Sequence, residues 1–153
     1  LNYCGKELID NLLNNDYVCF TDGDIVYLNK EFLNYCLENI GDNDMLIQND
    51  RLTNDKNSTI CSGFMFIKSN EKTKKIFNPV EATKNAKEGW GDQTYINNIK
   101  DKLKFELLPL DLFPNGNYYY INNKKINPYM IHFNWVVGHQ KKQKMKQYNK
   151  WFI

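Results

Sequence analysis

Two apolar runs, Tyr17-Val18-Cys19-Phe20 and Ile25-Val26-Tyr27-Leu28, close on the acidic tripeptide Asp22-Gly23-Asp24 with only Thr21 between. Short stretches this rich in β-branched and aromatic residues predict strands, and the lack of polar alternation predicts cover on both faces. Open α/β sheets place their ligands at the ends of such strands. Gly23 has no side chain, so the backbone can turn sharply there and a phosphate-sized group can come close. Two hard carboxylates at that point suit a cation of the magnesium or manganese class, which keeps coordination positions open for substrate phosphates. Asp-Gly between apolar runs is equally a hairpin signal that needs no metal. The stretch alone supports both readings.

The rest of the chain narrows the setting. At 153 residues it has the size of one domain able to bury a real core, and 42% hydrophobic with 14% aromatic residues argues against disorder. A formal charge of +2 does not call for a nucleic-acid partner. No apolar run approaches the length of a membrane span and no leader pattern is present. Cys4, Cys19, Cys36 and Cys61 form no C-x-x-C pair and fall mostly in apolar stretches, which predicts buried free thiols and favours a cytoplasmic setting. The chain starts on Leu1 inside a helical pattern, so the gene product is expected to extend upstream.

Apolar stripes predict helices over Asn2 to Asn14 and Lys30 to Ile40, the second stopped by Gly41. Met45 to Ile47 and Ile60 to Ile67 read as strands around a polar loop, Asn49 to Thr59. Helices are expected at Glu71 to Phe77, Val80 to Lys87 and Asp92 to Ile99, with Asp92 at the cap or in the first turn. Phe105 to Leu110, Tyr118 to Ile121 and Tyr129 to Phe133 are the remaining strand candidates, and Lys141 to Lys150 is a basic terminal helix or tail. The order is mixed α and β. His132 sits in an apolar run, where a histidine is either a hydrogen-bonded core residue or, beside two carboxylates, a metal ligand.

Five blocks then recur in a familiar order: Asp22-Gly23-Asp24, Ser62-Gly63-Phe64-Met65, Gly91-Asp92-Gln93, Leu107-Leu108-Pro109-Leu110-Asp111-Leu112-Phe113-Pro114-Asn115-Gly116, and His132-Phe133-Asn134-Trp135-Val136-Val137-Gly138. From about Leu8 onward the chain resembles the nucleotide-diphospho-sugar transferases of the GT-A type with a DxD motif, in the group of the plant cell-wall galactosyl- and xylosyltransferases. The resemblance implies an α/β, Rossmann-like mixed sheet flanked by helices. Residues 1–153 would be one partial domain, without the N-terminal part that binds the nucleoside. It further implies a retaining enzyme that moves a sugar from a nucleotide-sugar donor to a glycan, protein or small-molecule acceptor, using Mn2+ or Mg2+.

By the same resemblance, Asp24 and His132 are metal ligands, joined by Asp22 directly or through the ribose. Lys142 and the Gly138 backbone match the diphosphate contacts. Ser62 and Gly63 match a segment near the donor sugar, and Asp92 with Gln93 match the acid-amide pair that faces sugar and acceptor as the catalytic residues. Two features depart from the pattern. A single helix precedes the DxD motif, and Gly23 stands where larger apolar residues are usual.

Two rival functions come from other classes. Asp22-Gly23-Asp24-Ile25-Val26-Tyr27 also resembles the D-x-D-x-[TV] opening of haloacid-dehalogenase-like phosphohydrolases, although Gly91-Asp92 lacks the acidic partner such enzymes need. A non-catalytic sugar-binding module is the other.

Overall fold

The computed structural model describes residues 4–55, 57–87 and 89–152. Its main sheet has four strands in the order β1, β4, β3, β5, namely Tyr17–Thr21, Ile60–Lys68, Met45–Asn49 and Phe105–Leu107. β4 runs antiparallel to both neighbours, and β3 runs parallel to β5, so the sheet is mixed. A second, two-stranded sheet pairs β2 (Ile25–Tyr27) with β6 (Met130–His132). β1 and β2 therefore belong to different sheets, and the Asp-Gly turn between them is not a hairpin.

Alternation along the central strands builds a core on each face of the main sheet. Met45, Ile47, Met65 and Ile67 point to one side, where they meet Leu8, Ile9 and Leu12 of α1 (Cys4–Asn14) and Tyr95, Ile96 and Ile99 of α5 (Asp92–Ile99). α3 (Glu71–Ile76) and α4 (Pro79–Asn85) complete that layer. Leu46, Phe64 and Phe66 point the other way, against Cys36 and Ile40 at α2 (Glu31–Asn39) and against Leu108, Phe113 and Met130. A third cluster joins Val26, Ile131 and Phe133 to Tyr119 of α6 (Gly116–Asn122), with Met145 of α7 (His139–Gln147) packed on it. Leu13, part of the expected α1 stripe, is exposed instead.

Local chemistry sets most helix starts. Asn70 and Thr73 form a reciprocal capping box on α3, and Asn78 caps α4 just ahead of Pro79. Each such cap contributes about 1 kcal/mol. Two strand expectations are corrected. Tyr118 to Ile121 lies within α6, because Asn115 accepts the Tyr118 N–H at 3.0 Å and starts a helix that strand propensity alone would not favour. Tyr119 and Tyr120 then meet Phe133 and Tyr148 as ring pairs. β5 stops at Leu107, two residues before Pro109, whose carbonyl turns the chain by accepting from Leu112 and Phe113.

The sequence-based helix and strand limits otherwise agree with the observed elements to within about three residues, the largest difference being the terminal helix, which ends at Gln147 and not Lys150. Leu1, Asn2 and Tyr3, at the start of the first expected helix, lie outside the described residues. Cys19, Cys36 and Cys61 are free thiols, the last two buried, and burial pushes the Cys61 thiol up to about 12. Among the described residues no helix is long and apolar enough to cross a membrane.

Candidate functional site

Strand direction gathers the chemistry at one edge. β1 and β3 both run antiparallel to β4, so their C-terminal ends lie side by side, with the Cys61-Ser62-Gly63 portion of β4 between them. Asp22 leaves β1 there, its N–H donating to the Gly63 carbonyl at 2.8 Å, and Asp50 follows the end of β3. The chain then turns at Gly23 into β2, which pairs Ile25 with His132, while the Phe133 N–H donates to the Asp24 carbonyl at 3.0 Å. Two sheets thus bring residues more than a hundred positions apart onto one point.

Asp22, Asp24 and His132 each offer one ligand atom, all within 4.8 Å of one another. His132 Nε2 stands 3.2 Å from Asp24 Oδ1 and 3.7 Å from Asp22 Oδ2. A Cβ built on Gly63 would lie 2.3 Å from His132 Cε1 and 2.8 Å from Asp22 Oδ2, so the cluster closes only over a glycine. Lys141 Nζ is 2.5 Å from Asp24 Oδ2. Burial acts to raise the Asp24 carboxyl, but hydrogen bonds from His132 and Lys141 outweigh it and hold that carboxyl well below the ordinary range. Asp22 is raised, by burial and by the nearby Asp24 and Asp92 charges, against the pull of His132 and Lys141.

The imidazole is oriented from behind. Gln48 is fully buried where the pairing of β3 with β4 skips from Met65 to Cys61, so that Ser62, Gly63 and Phe64 bulge on β4 beside it. Its Nε2 donates to the carbonyls of Phe113 at 3.2 Å and Pro114 at 3.0 Å, so its Oε1 is left to accept from His132 Nδ1 at 2.7 Å. With Nδ1 engaged by Gln48, Nε2 is the nitrogen that faces the two carboxylates, where it can donate to Asp24 or, without its proton, offer a lone pair to a cation between them. Two carboxylates and an imidazole form a donor set suited to manganese or magnesium. Gln48→Leu is expected to lower Mn2+ affinity about 10- to 100-fold and to mix the His132 tautomers in 15N NMR spectra. Unchanged affinity with a mixed tautomer would separate ring orientation from binding.

A second web adjoins the first. Ser62 Oγ donates to Asp92 Oδ2 at 3.0 Å, and Gln93 Nε2 donates to Asp50 Oδ2 at 3.0 Å. Asp92 is the first residue of α5, whose cap position is held by Gly91. Asp50 also accepts from Asn134 Nδ2 at 3.4 Å and from the Trp135 side chain. Burial raises its carboxyl above the usual range despite those donors. Asn115 holds the base of the 50–59 loop by donating to the Asn49 and Arg51 carbonyls at 2.9 and 2.8 Å. Sequence reasoning missed Gln48, Asp50 and Asn134. Their position just past a strand end, or beside His132, was the available signal for all three.

The basic residue at the carboxylates is Lys141; Lys142, expected to contact the diphosphate, does not reach them. Neighbours on a helix face directions about 100° apart, so α7 can turn only one of them inward. Lys142 Nζ instead lies over the Trp151 ring, 5.0 Å from its centroid. Gly138 caps α7 at φ 53° and ψ −128°, backbone angles that only glycine adopts readily. An open cleft of about 600 Å³ runs from α1 along the outer edge of β1 to Asp22 and Gly23.

Comparison with known proteins agrees with this geometry. The family model for nucleotide-diphospho-sugar transferases matches residues 6–147. A UDP-galactose:fucoside alpha-3-galactosyltransferase from Dictyostelium discoideum is 30% identical over 179 positions, which cover 95% of this chain and 27% of that protein. The chain therefore spans about a quarter of that relative's length. The crystal structure of the glycosyltransferase GlyE in Streptococcus pneumoniae TIGR4 superimposes with a TM-score of 0.60 at 16% identity, over 95% of this chain and 43% of that one. This likeness extends to the fold alone, a glycosyltransferase-type mixed α/β sheet flanked by helices.

Proposed function

Because this chain belongs to the nucleotide-diphospho-sugar transferase family, we propose that it moves a glycosyl group from a nucleoside-diphosphate sugar to an acceptor hydroxyl, using a bound divalent cation. The observation that carries this reading is the cluster of Asp22, Asp24 and His132 beside Lys141. The phosphohydrolase alternative belongs to a different family and is set aside.

Asp22, Asp24 and His132 hold the cation, of the manganese or magnesium class. Once bound, it supplies positive charge to the diphosphate as it leaves. Lys141, beside Asp24, adds a second positive charge that would engage a phosphate oxygen. The N-terminus of α7 at Gly138 offers backbone N–H groups to the same diphosphate. Ser62 and Gln93 fix Asp92 and Asp50, so that the sugar lies between a held carboxylate and a held amide. The bond from the anomeric carbon to the diphosphate oxygen breaks and its electron pair leaves with the diphosphate, while the acceptor oxygen forms the new bond on the same face and its proton passes to the departing diphosphate. Transfer retains the anomeric configuration, in keeping with the family resemblance.

UDP-galactose and a simple fucoside, the donor and acceptor named for the Dictyostelium relative, are the first pair to test. Calorimetric titration of UDP in the presence of Mn2+ is expected to show binding that disappears without the metal. Lys141→Ala should weaken it by about 1 to 3 kcal/mol, roughly 5- to 150-fold, while Lys142→Ala changes little. Equal losses from Lys141, Lys142, Lys144 and Lys146, with steep salt dependence, would instead reveal a diffuse polyanion surface. Absence of any metal-dependent UDP binding would end the transferase reading. Binding without turnover would leave the non-catalytic module.

A further inference from the structure

Trp135 holds a backbone conformation that a bulky residue rarely adopts. Its φ is 64°, in the left-handed region, while its side chain remains 52% exposed. Such a conformation costs about 1 to 3 kcal/mol and persists only where its surroundings enforce it. Here the preceding residue is fastened on three sides. Asn134 Oδ1 accepts from the Gly116 N–H at 2.7 Å, its carbonyl accepts from the Tyr120 hydroxyl at 3.2 Å, and its Nδ2 donates to Asp50. The Trp135 side chain is itself tied to Asp50. The indole N–H is its one donor, so that edge of the ring is anchored and the rest is left to solvent. An anchored and strained aromatic ring that gains little burial is not explained by packing.

Its location gives the ring a use. Trp135 lies three residues after His132, and its partner Asp50 is also the partner of Gln93, so the ring is linked through Asp50 to the acid-amide pair.

We propose that Trp135 is the platform on which the acceptor rests, and that the acceptor is a carbohydrate. This rests on the glycosyl-transfer reading above. One face of a pyranose ring presents a patch of C–H bonds, positively polarised, which complements the electron-rich face of an indole. The hydroxyls at the ring's rim remain free to meet the polar groups around Asp50. Peptides and aliphatic alcohols offer no flat C–H face of that size. Stacking also selects the sugar by shape, so the attacking hydroxyl is oriented as well as bound.

Methyl fucoside, methyl galactoside and methyl xyloside serve as probes, with a serine-containing peptide and butanol as controls. In 1H-15N spectra, the Trp135 indole signal is assigned by its loss in Trp135→Phe. The glycosides are expected to shift that signal and to leave those of Trp90 and Trp151 in place. Trp135→Ala should raise the KM for the best glycoside roughly tenfold, with Trp135→Phe between, while donor KM moves far less. Trp135→Gly relieves the strained φ, so it should remain folded by circular dichroism and show the same acceptor defect. An acceptor KM unchanged in both Ala and Gly variants would overturn the platform, as would a Trp135 signal that responds to the peptide or butanol and not to the sugars. If the wild-type chain shifts Trp135 with glycosides but binds no UDP with Mn2+, the carbohydrate platform stands and the transfer reading is lost.

Discussion

Asp24→Ala is expected to abolish measurable Mn2+ binding and to reduce glycosyl transfer by about a thousandfold, which corresponds to roughly 4 kcal/mol of lost transition-state stabilisation. Asp24 is the carboxylate that every other group in the cluster addresses. His132 Nε2 lies 3.2 Å from one oxygen and Lys141 Nζ 2.5 Å from the other. Removing it takes away a charged ligand and the carboxylate that both His132 and Lys141 face. Asp22, more exposed and 3.7 Å from the imidazole, cannot replace it. Acid titration of the metal-free protein gives an independent readout. The Asp24 carboxyl is depressed in the folded state, so its contribution to stability is present above the ordinary carboxylate range. That contribution fades as the pH falls toward the depressed value, because the proton then competes with His132 and Lys141. The Ala variant should lose part of this acid sensitivity. Mn2+ affinity within a factor of two of wild type, by calorimetry, would show that the cation is held elsewhere.

Gly63→Ala is expected to damage the same centre without touching a ligand. The added Cβ would stand 2.3 Å from His132 Cε1, 3.0 Å from His132 Nδ1 and 2.8 Å from Asp22 Oδ2. Those separations are far inside van der Waals contact, and His132 is nearly fully buried with its ring fixed by Gln48. The ring has no free space into which to withdraw. Overpacking of this kind costs about 1 to 3 kcal/mol, so the melting temperature should fall by several degrees. Mn2+ affinity should fall with it, since His132 and Asp22 would be pushed apart. Gly23→Ala is the control, because a Cβ on Gly23 meets nothing within 4 Å. If Gly63→Ala melts and binds metal like wild type, the close approach of β4 to the cluster is not a structural requirement.

Much of this was legible in local sequence. The apolar period placed α1, α2 and the strands β1 and β4, and the Asn caps account for the starts of α3 and α4. Asp22, Asp24 and His132 carried their chemistry in their residue types, and the structure brings the three together. Local information failed where a distant partner decided the outcome. The Tyr118-Tyr119-Tyr120-Ile121 run has strand propensity, yet the buried Asn115 caps it as a helix and fastens it to the 50–59 loop. Gln48 and Asp50 are ordinary polar residues near a strand end until β4 and β6 close over them. Gln48 meets His132 across 84 positions of sequence, beside a register shift between β3 and β4 that no composition reveals.

The choice between Lys141 and Lys142 shows the same division most simply. Both are lysines on one basic helix, and sequence alone determined that positive charge follows Gly138. Which of them reaches Asp24 depends on the rotation of α7 about its axis. That rotation is set where Met145 packs on the third core cluster and where Lys142 meets Trp151. A step of about 100° per residue separates the lysine that faces Asp24 from the one that faces Trp151. Periodicity and residue chemistry are local properties, so the sequence determined the elements and the kinds of ligand. Register, bulge and helix rotation are fixed by contacts between distant segments, so only the tertiary structure decided which side chains meet.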